Sequence, residues 1–138
     1  MAPSLYRRSL FGLLALSLIL PITGPAFAGP KEHVRPLKFP KGRIATVVSG
    51  AVIRAEVDTY TFSARTGQHL TTAIASWENN AVFEISYRKQ GQWRALANAR
   101  SWNGTLPRSE GHRYKISVSG TRGNATYQLF VGISVTKR

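Results

Sequence analysis

Residues 57–70, VDTYTFSARTGQHL, decide the fold of this chain. Tyr60 and Phe62 share one face of an alternating stretch with Asp58, while threonines occupy the other face, which is typical of a half-buried β-strand. A turn centred on Gly67 then leads into the start of a second strand. Because a two-stranded unit cannot bury its apolar face alone, this stretch predicts a sheet packed against another layer.

The rest of the chain from Ile44 onward reads as short strands separated by turn residues, and no segment keeps a helical period. The candidate strands are 44–49, 51–64 with a break near 54–56, 69–77, 81–88, 93–97, 101–106, 113–119 and 125–136. About eight short strands at this spacing predict an all-β protein, a single-domain antiparallel β-sandwich of the jelly-roll type.

Residues 1–28 have the pattern of a cleaved signal peptide. Arg7 and Arg8 precede an apolar run at 10–20, and Ala26-Phe27-Ala28 supplies small residues at the positions that a signal peptidase reads. An uncleaved anchor is the alternative, but the apolar run is too short to span a bilayer. We therefore expect export to the periplasm or the medium, and no transmembrane segment in the mature form.

Two regions follow the predicted signal peptide. Residues 29–43 contain three prolines and five cations against Glu32 alone. Prolines at this density rule out a helix and disfavour strand pairing, so we expect an extended basic arm. Residues 44–138 form the predicted β-sandwich domain.

Composition restricts the chemistry. The chain contains no cysteine, which excludes disulfides, thiol catalysis and thiolate metal sites. The formal net charge is +13, and +11 without Arg7 and Arg8. Such a charge attracts polyanions, although the cations are scattered along the sequence and also keep a protein dispersed.

The titratable residues indicate a non-enzyme. Glu56 and Asp58 are two apart on one strand and could imitate a glycosidase pair, but a turn-stabilising role for Asp58 is the preferred interpretation. The three histidines lack metal-ligand spacing, so neither a metal site nor a cofactor is expected.

Aromatic residues near turn signals suggest a second type of function. Trp93 and Trp102 could stack on sugar rings, or could cover the ends of the core. With the basic arm they suggest a non-enzymatic module that binds anionic envelope glycans. Nucleic acid is not expected as a partner.

A longer set of residues resembles a known family. The set consists of Ser49-Gly50, Asp58-Thr59-Tyr60-Thr61-Phe62, Ala64, Gly67-Gln68, Leu106-Pro107, Gly111, Tyr114, Val118, Thr121-Arg122 and Tyr127. It is similar to bacterial periplasmic inhibitors of goose-type lysozyme, and to the wider group of pre-peptidase C-terminal (PPC) β-sandwich domains.

The resemblance implies an exported, basic lysozyme inhibitor whose loops insert into the glycan cleft of a goose-type lysozyme. The family's Ser-Gly-x-Tyr element corresponds to Ser109, Gly111 and Tyr114, and its basic loop before the last strand corresponds to Thr121 and Arg122. Arg122 or Arg113 would then reach an acidic group in the cleft, because the guanidinium fork pairs well with carboxylates.

Overall fold

The computed structural model describes Gly24 and residues 29–135, which form two packed β-sheets. The strands are β1 Lys31–Pro36, β2 Ala45–Val52, β3 Glu56–Ser63, β4 His69–Ser76, β5 Ala81–Lys89, β6 Gln92–Ala99, β7 Ser101–Thr105, β8 Arg113–Gly120 and β9 Ala125–Ser134. A short 3-10 turn, Glu110–His112, precedes β8. The predicted β-sandwich is confirmed, with nine strands in the described residues rather than about eight.

The first sheet has the strand order β1-β3-β8-β5-β6, and the second has the order β2-β9-β4-β7. β1 pairs with β3 in parallel, and every other neighbouring pair of these described strands is antiparallel. The predicted break between two strands is confirmed: residues 53–55 connect β2 in the second sheet to β3 in the first. The chain therefore changes sheet at that turn.

The core lies between the sheets and follows the alternation of the sequence. Tyr114, Ile116 and Val118 of β8 are fully buried, whereas the residues between them point away from the core. In β9, Tyr127, Leu129 and Val131 are buried in the same way. Ring stacking between Phe62 and Tyr114, with centroids 5.5 Å apart, joins β3 to β8. Alternation at period two thus places one face of each central strand in the core.

The expectation that the prolines of the basic arm disfavour strand pairing is wrong for residues 31–36. Lys31–Pro36 forms β1, an edge strand on which proline is tolerated because one side of the backbone needs no partner. Its side chains are also held: Glu32 accepts a hydrogen bond from the Thr59 hydroxyl at 2.6 Å, and Arg35 lies 3.3 Å from the Asp58 carboxylate. Residues 31–36 of the arm therefore belong to the first sheet.

Asp58 lies inside the sandwich rather than in a turn, so the turn-stabilising role predicted for it is wrong. Its carboxylate is buried and accepts a hydrogen bond from the Tyr127 hydroxyl at 2.6 Å. The hydroxyls of Tyr127 and Tyr60 are also 2.6 Å apart. Gly50 makes room for this network, because a Cβ there would overlap the Tyr127 hydroxyl. A buried charge is thus paired and hydrogen-bonded, as burial requires.

The predicted signal peptide lies outside the described residues apart from Gly24, and so do residues 136–138. Within the described part of the chain, no helix is long and apolar enough to cross a membrane.

Candidate functional site at one end of the sandwich

The structure places the two predicted groups of lysozyme-binding residues at opposite ends of the molecule. Ser109, Gly111, Arg113 and Tyr114 lie at the start of β8, and Thr121 and Arg122 follow its end. An eight-residue strand is about 25 Å long, since each residue advances by about 3.3 Å. The two groups therefore do not form one continuous surface.

Two of the predicted contact residues at the first end are buried. Tyr114 is 0% exposed, and its hydroxyl donates a hydrogen bond to the carbonyl of Pro107 at 2.5 Å. Ser109 is 4% exposed; its hydroxyl accepts a hydrogen bond from the backbone N–H of Arg88 at 2.8 Å and donates to the carbonyl of Arg113. Both side chains hold the loop in place and are not available to a partner in this conformation.

Gly111 and Arg113 are exposed at this end. Gly111 has φ +64°, in the left-handed region that glycine occupies without strain. Glu110, which lies between Ser109 and Gly111, accepts hydrogen bonds from the backbone N–H groups of Gln90 and Gly91. The loop is thereby tied to the β5–β6 turn.

The opposite end carries a rim of three connections: residues 53–55, 77–80 and 121–124. We call it the Trp77 rim. Asn80, which is 2% exposed, joins two of them: its side-chain amide donates to the carbonyls of Arg122 at 3.2 Å and Asn124 at 2.9 Å. Its own carbonyl accepts a hydrogen bond from the backbone N–H of Thr121 at 2.8 Å. The remaining connection, residues 53–55, is attached to residues 121–124 by a 2.9 Å hydrogen bond from the backbone N–H of Arg54 to the side-chain oxygen of Asn124.

Cations surround this rim. Arg54, Arg100 and Arg122 are exposed, and the acid of the three connections is Glu78. The guanidinium of Arg100 donates to the carbonyl of Asn79 at 3.0 Å, and Arg122 lies 3.4 Å from the carbonyl of Glu78. These bonds orient the arginines and leave other N–H donors free, since each guanidinium has five N–H donors.

Trp77 stands at the tip of the β4–β5 connection and is 99% exposed. Beside it, a groove of about 540 Å³ is lined by uncharged residues of β2, β4 and β9, including Ala75 and Gln128. An indole without intramolecular cover beside arginines has the composition of a protein-binding hot spot, where tryptophan and arginine are enriched. The Trp77 rim is therefore the candidate functional site.

The two tryptophans that were predicted to stack on glycans occupy different environments. Trp102 faces inward from β7 and packs against the core, which agrees with the alternative that it covers the core. Trp93 lies on the outer face of the first sheet, with the Arg88 guanidinium 5.2 Å and the Lys115 ammonium 4.9 Å from its ring centroid.

The remaining acids and histidines do not assemble into a metal site: no cluster of three potential ligands occurs within the described residues. Glu56 and Asp58 do not flank a cleft together. Glu56 lies 3.5 Å from His33, whereas Asp58 is buried against Tyr127.

Sequence reasoning missed Trp77 and Asn80. The turn signal at 78–80 marked the connection, but it gave no reason to separate Trp77 from the aromatic residues of the core. A tryptophan directly before such a turn was the available signal, because a turn residue is usually at the surface. The role of Asn80 depends on a loop 42 residues away and has no local signature.

No protein-family model and no curated protein matches the chain. The solved structures similar to it include two crystal structures of PliG, a periplasmic inhibitor of g-type lysozyme. The Aeromonas hydrophila protein has 27% identity and a TM-score of 0.66, and the match covers 75% of this chain and 98% of that one. The Salmonella Typhimurium protein has 24% identity and a TM-score of 0.60, with 73% and 97% covered.

A pre-peptidase C-terminal domain of a Bacillus anthracis collagenase has 17% identity and a TM-score of 0.54, with 72% and 95% covered. This likeness shows the shared fold alone. Together the neighbours confirm the resemblance: the chain is built like the periplasmic inhibitors of goose-type (g-type) lysozyme, and it shares its fold with a pre-peptidase C-terminal domain.

Proposed function

We propose that this protein is an exported, periplasmic inhibitor of a goose-type lysozyme that inserts the Trp77 rim into the glycan cleft of the enzyme. The likeness to the A. hydrophila inhibitor over nearly all of that protein's length carries the inhibitory role. The pattern of residues 1–28 supports export. In this role the protein acts by occupying the cleft, and no reaction is required of it.

Two properties of the rim favour it over the other end of the sandwich. Trp77 offers an indole that only a partner could bury, and aromatic side chains bury about 150–250 Å² each. The rim is also preorganised, because Asn80 fixes the two connections that present Trp77 and Arg122. A loop that is ordered before binding loses less entropy on association.

Charge complementarity supports the same end. Glycoside hydrolases place carboxyl groups along their glycan clefts, and an arginine that enters such a cleft forms a charge-assisted, bidentate pair. Arg122 and Arg54 are exposed on the rim and available for this contact. The net charge of the chain slows encounter with a cationic lysozyme, so added salt should raise the association rate while the close pair persists.

A lysis assay with a goose-type lysozyme and the mature domain, residues 29–138, tests the proposal. We expect the domain to suppress lysis, and Trp77→Ala and Arg122→Ala each to weaken inhibition by about 30-fold, which corresponds to a hot spot of about 2 kcal/mol. Neither exposed side chain supports the core, so thermal unfolding should be unchanged.

Matched controls lie at the other end of the sandwich. Ile44→Ala removes an apolar side chain that is 66% exposed, and Arg108→Ala removes an exposed cation. Both variants should inhibit like the wild type. Undiminished lysis at molar excess of the wild-type domain overturns the inhibitory role. Inhibition that survives both rim substitutions but is lost in Arg108→Ala moves the interface to the other end.

A further inference from the structure

The outer face of the first sheet carries a groove away from the Trp77 rim, with Arg113 as the cation of its lining and Arg88 and Lys115 beside it around Trp93. Its volume is about 380 Å³, within the usual range for small-ligand sites, and its lining includes Thr61, Ser63, Trp93 and Arg113. The strand register places Ser63 opposite Arg113, Thr61 opposite Lys115, and Trp93 opposite Arg88. Two hydroxyls, three cations and one indole therefore share this part of the sheet.

The three cations in and beside the groove, Arg88, Arg113 and Lys115, have no acidic partner in the described part of the chain. Within residues 29–135 the ion pairs are Arg35–Asp58 and His33–Glu56, so no carboxylate lies within 4.0 Å of Arg88, Arg113 or Lys115. Trp93 holds two of the three close together, since cation–π attraction offsets part of their mutual repulsion. A group of unpaired cations on a rigid sheet is complementary to an anion.

The acids closest to the groove along the chain are engaged elsewhere. Glu84 on β5 accepts a hydrogen bond from the Ser86 hydroxyl at 3.2 Å, two residues along the strand. Glu110 accepts from the backbone N–H groups of Gln90 and Gly91. Neither forms an ion pair with Arg88, Arg113 or Lys115.

The outer face of the second sheet differs from that of the first in its charged residues. Strand register and alternation give the residues on its outer face, none of which is lysine, arginine, aspartate or glutamate. They are Ala45, Val47, Ser49 and Ala51 of β2, His69, Thr71, Ala73 and Ala75 of β4, Ser101, Asn103 and Thr105 of β7, and Thr126, Gln128, Phe130, Gly132 and Ser134 of β9. The outer face of the second sheet thus lacks these charged residues, whereas that of the first sheet carries Arg88, Arg113 and Lys115 at one end, and Glu32 and Glu84 further along.

We propose that the groove, which we call the Trp93 groove, binds an oligosaccharide that carries carboxylate or phosphate groups. Arg113 and Lys115 pair with the anionic groups, since guanidinium and ammonium bind oxyanions strongly. Thr61 and Ser63 offer hydroxyls for sugar hydroxyl groups. The face lacks the row of free aromatic rings on which single-stranded nucleic acid stacks, because the Trp93 indole is already engaged by two cations. A saccharide therefore fits it better than a nucleic acid.

Isothermal titration calorimetry of the mature domain tests this with two anionic probes. One is a uronic-acid oligosaccharide, which carries carboxylates, and the other is a phosphorylated core oligosaccharide from lipopolysaccharide. A chitooligosaccharide of the same length is the neutral control. We expect binding of at least one anionic probe, with the tighter one identifying the anion, and little binding of the neutral control. Raising the salt concentration should weaken the binding.

Variants separate a built site from general attraction to a basic protein. Lys115→Ala and Arg113→Ala should each raise the Kd by about 10-fold or more, whereas Arg122→Ala, which removes the same charge at the other end of β8, should leave it within about 2-fold. The proposal is overturned if all three variants weaken binding equally, or if the neutral control binds with equal affinity. It is also overturned if a single-stranded DNA oligomer binds more tightly, or if neither anionic probe binds. The groove and the Trp77 rim share no residue, so failure here leaves the inhibitory role untouched.

Discussion

Replacing Tyr127 with phenylalanine tests the hydrogen-bond network between the two sheets. The Tyr127 hydroxyl donates to the Asp58 carboxylate at 2.6 Å and lies 2.6 Å from the Tyr60 hydroxyl. A hydrogen bond to a charged group contributes about 1.5–3 kcal/mol, and one between neutral groups about 1 kcal/mol. Because Asp58 is 2% exposed, water cannot replace the lost donor, and Arg35 contacts only its other oxygen. We expect Tyr127→Phe to lower the free energy of unfolding by about 2–4 kcal/mol.

Urea denaturation and calorimetry measure this loss. For a domain of about 100 residues, each kcal/mol lowers Tm by at least about 4 °C, so the expected decrease is about 8 °C or more. Tyr60→Phe is the matched control, because it keeps the bond to Asp58 and should cost only about 1 kcal/mol. The reasoning is refuted if Tyr127→Phe unfolds within about 0.5 kcal/mol of the wild type, or if the two variants are equally destabilised.

Three further predictions concern the same core and the loop before β8. Gly50→Ala should destabilise by about 1–3 kcal/mol in urea denaturation, because its Cβ would overlap the Tyr127 hydroxyl and lie 3.0 Å from Asp58 Oδ2; wild-type stability would contradict this. The pKa of Tyr127 is raised above its ordinary value of 10.0, chiefly by burial and secondly by the hydrogen bond to Asp58. The folded state keeps a proton that the unfolded chain releases above about pH 10, so stability should be independent of this group below that pH and fall above it by up to about 1.4 kcal/mol per pH unit. A pH series of unfolding curves checks it, and an equally steep fall in Tyr127→Phe would exclude this origin. Ser109→Ala should cost about 1–3 kcal/mol in the same denaturation assay, because it removes the hydroxyl that bonds two part-buried backbone groups, the Arg88 N–H and the Arg113 carbonyl. The folded variant should inhibit lysozyme like the wild type, and a selective loss of inhibition would make Ser109 a contact residue.

Much of the local structure follows from the sequence. Alternation in residues 57–70 gives strand β3 and its inward face, and the same pattern gives the buried faces of β8 and β9. The break at 53–55 and the turns between the later strands follow from the turn residues. These features are local, because side chains alternate along any strand whatever its neighbours are.

The arrangement of strands and loops required the tertiary structure. Prolines argued against pairing of the basic arm, yet a place at the sheet edge accommodates β1. Tyr114 and Arg122 lie at opposite ends because strand β8, which the sequence predicts, runs between them, but only packing shows that Tyr114 is buried. The exposure of Trp77 and the grouping of Arg88 and Lys115 around Trp93 likewise depend on how distant segments pack. Periodicity determines the direction in which a side chain points, whereas its neighbours depend on which strands pair, and long-range packing decides that pairing.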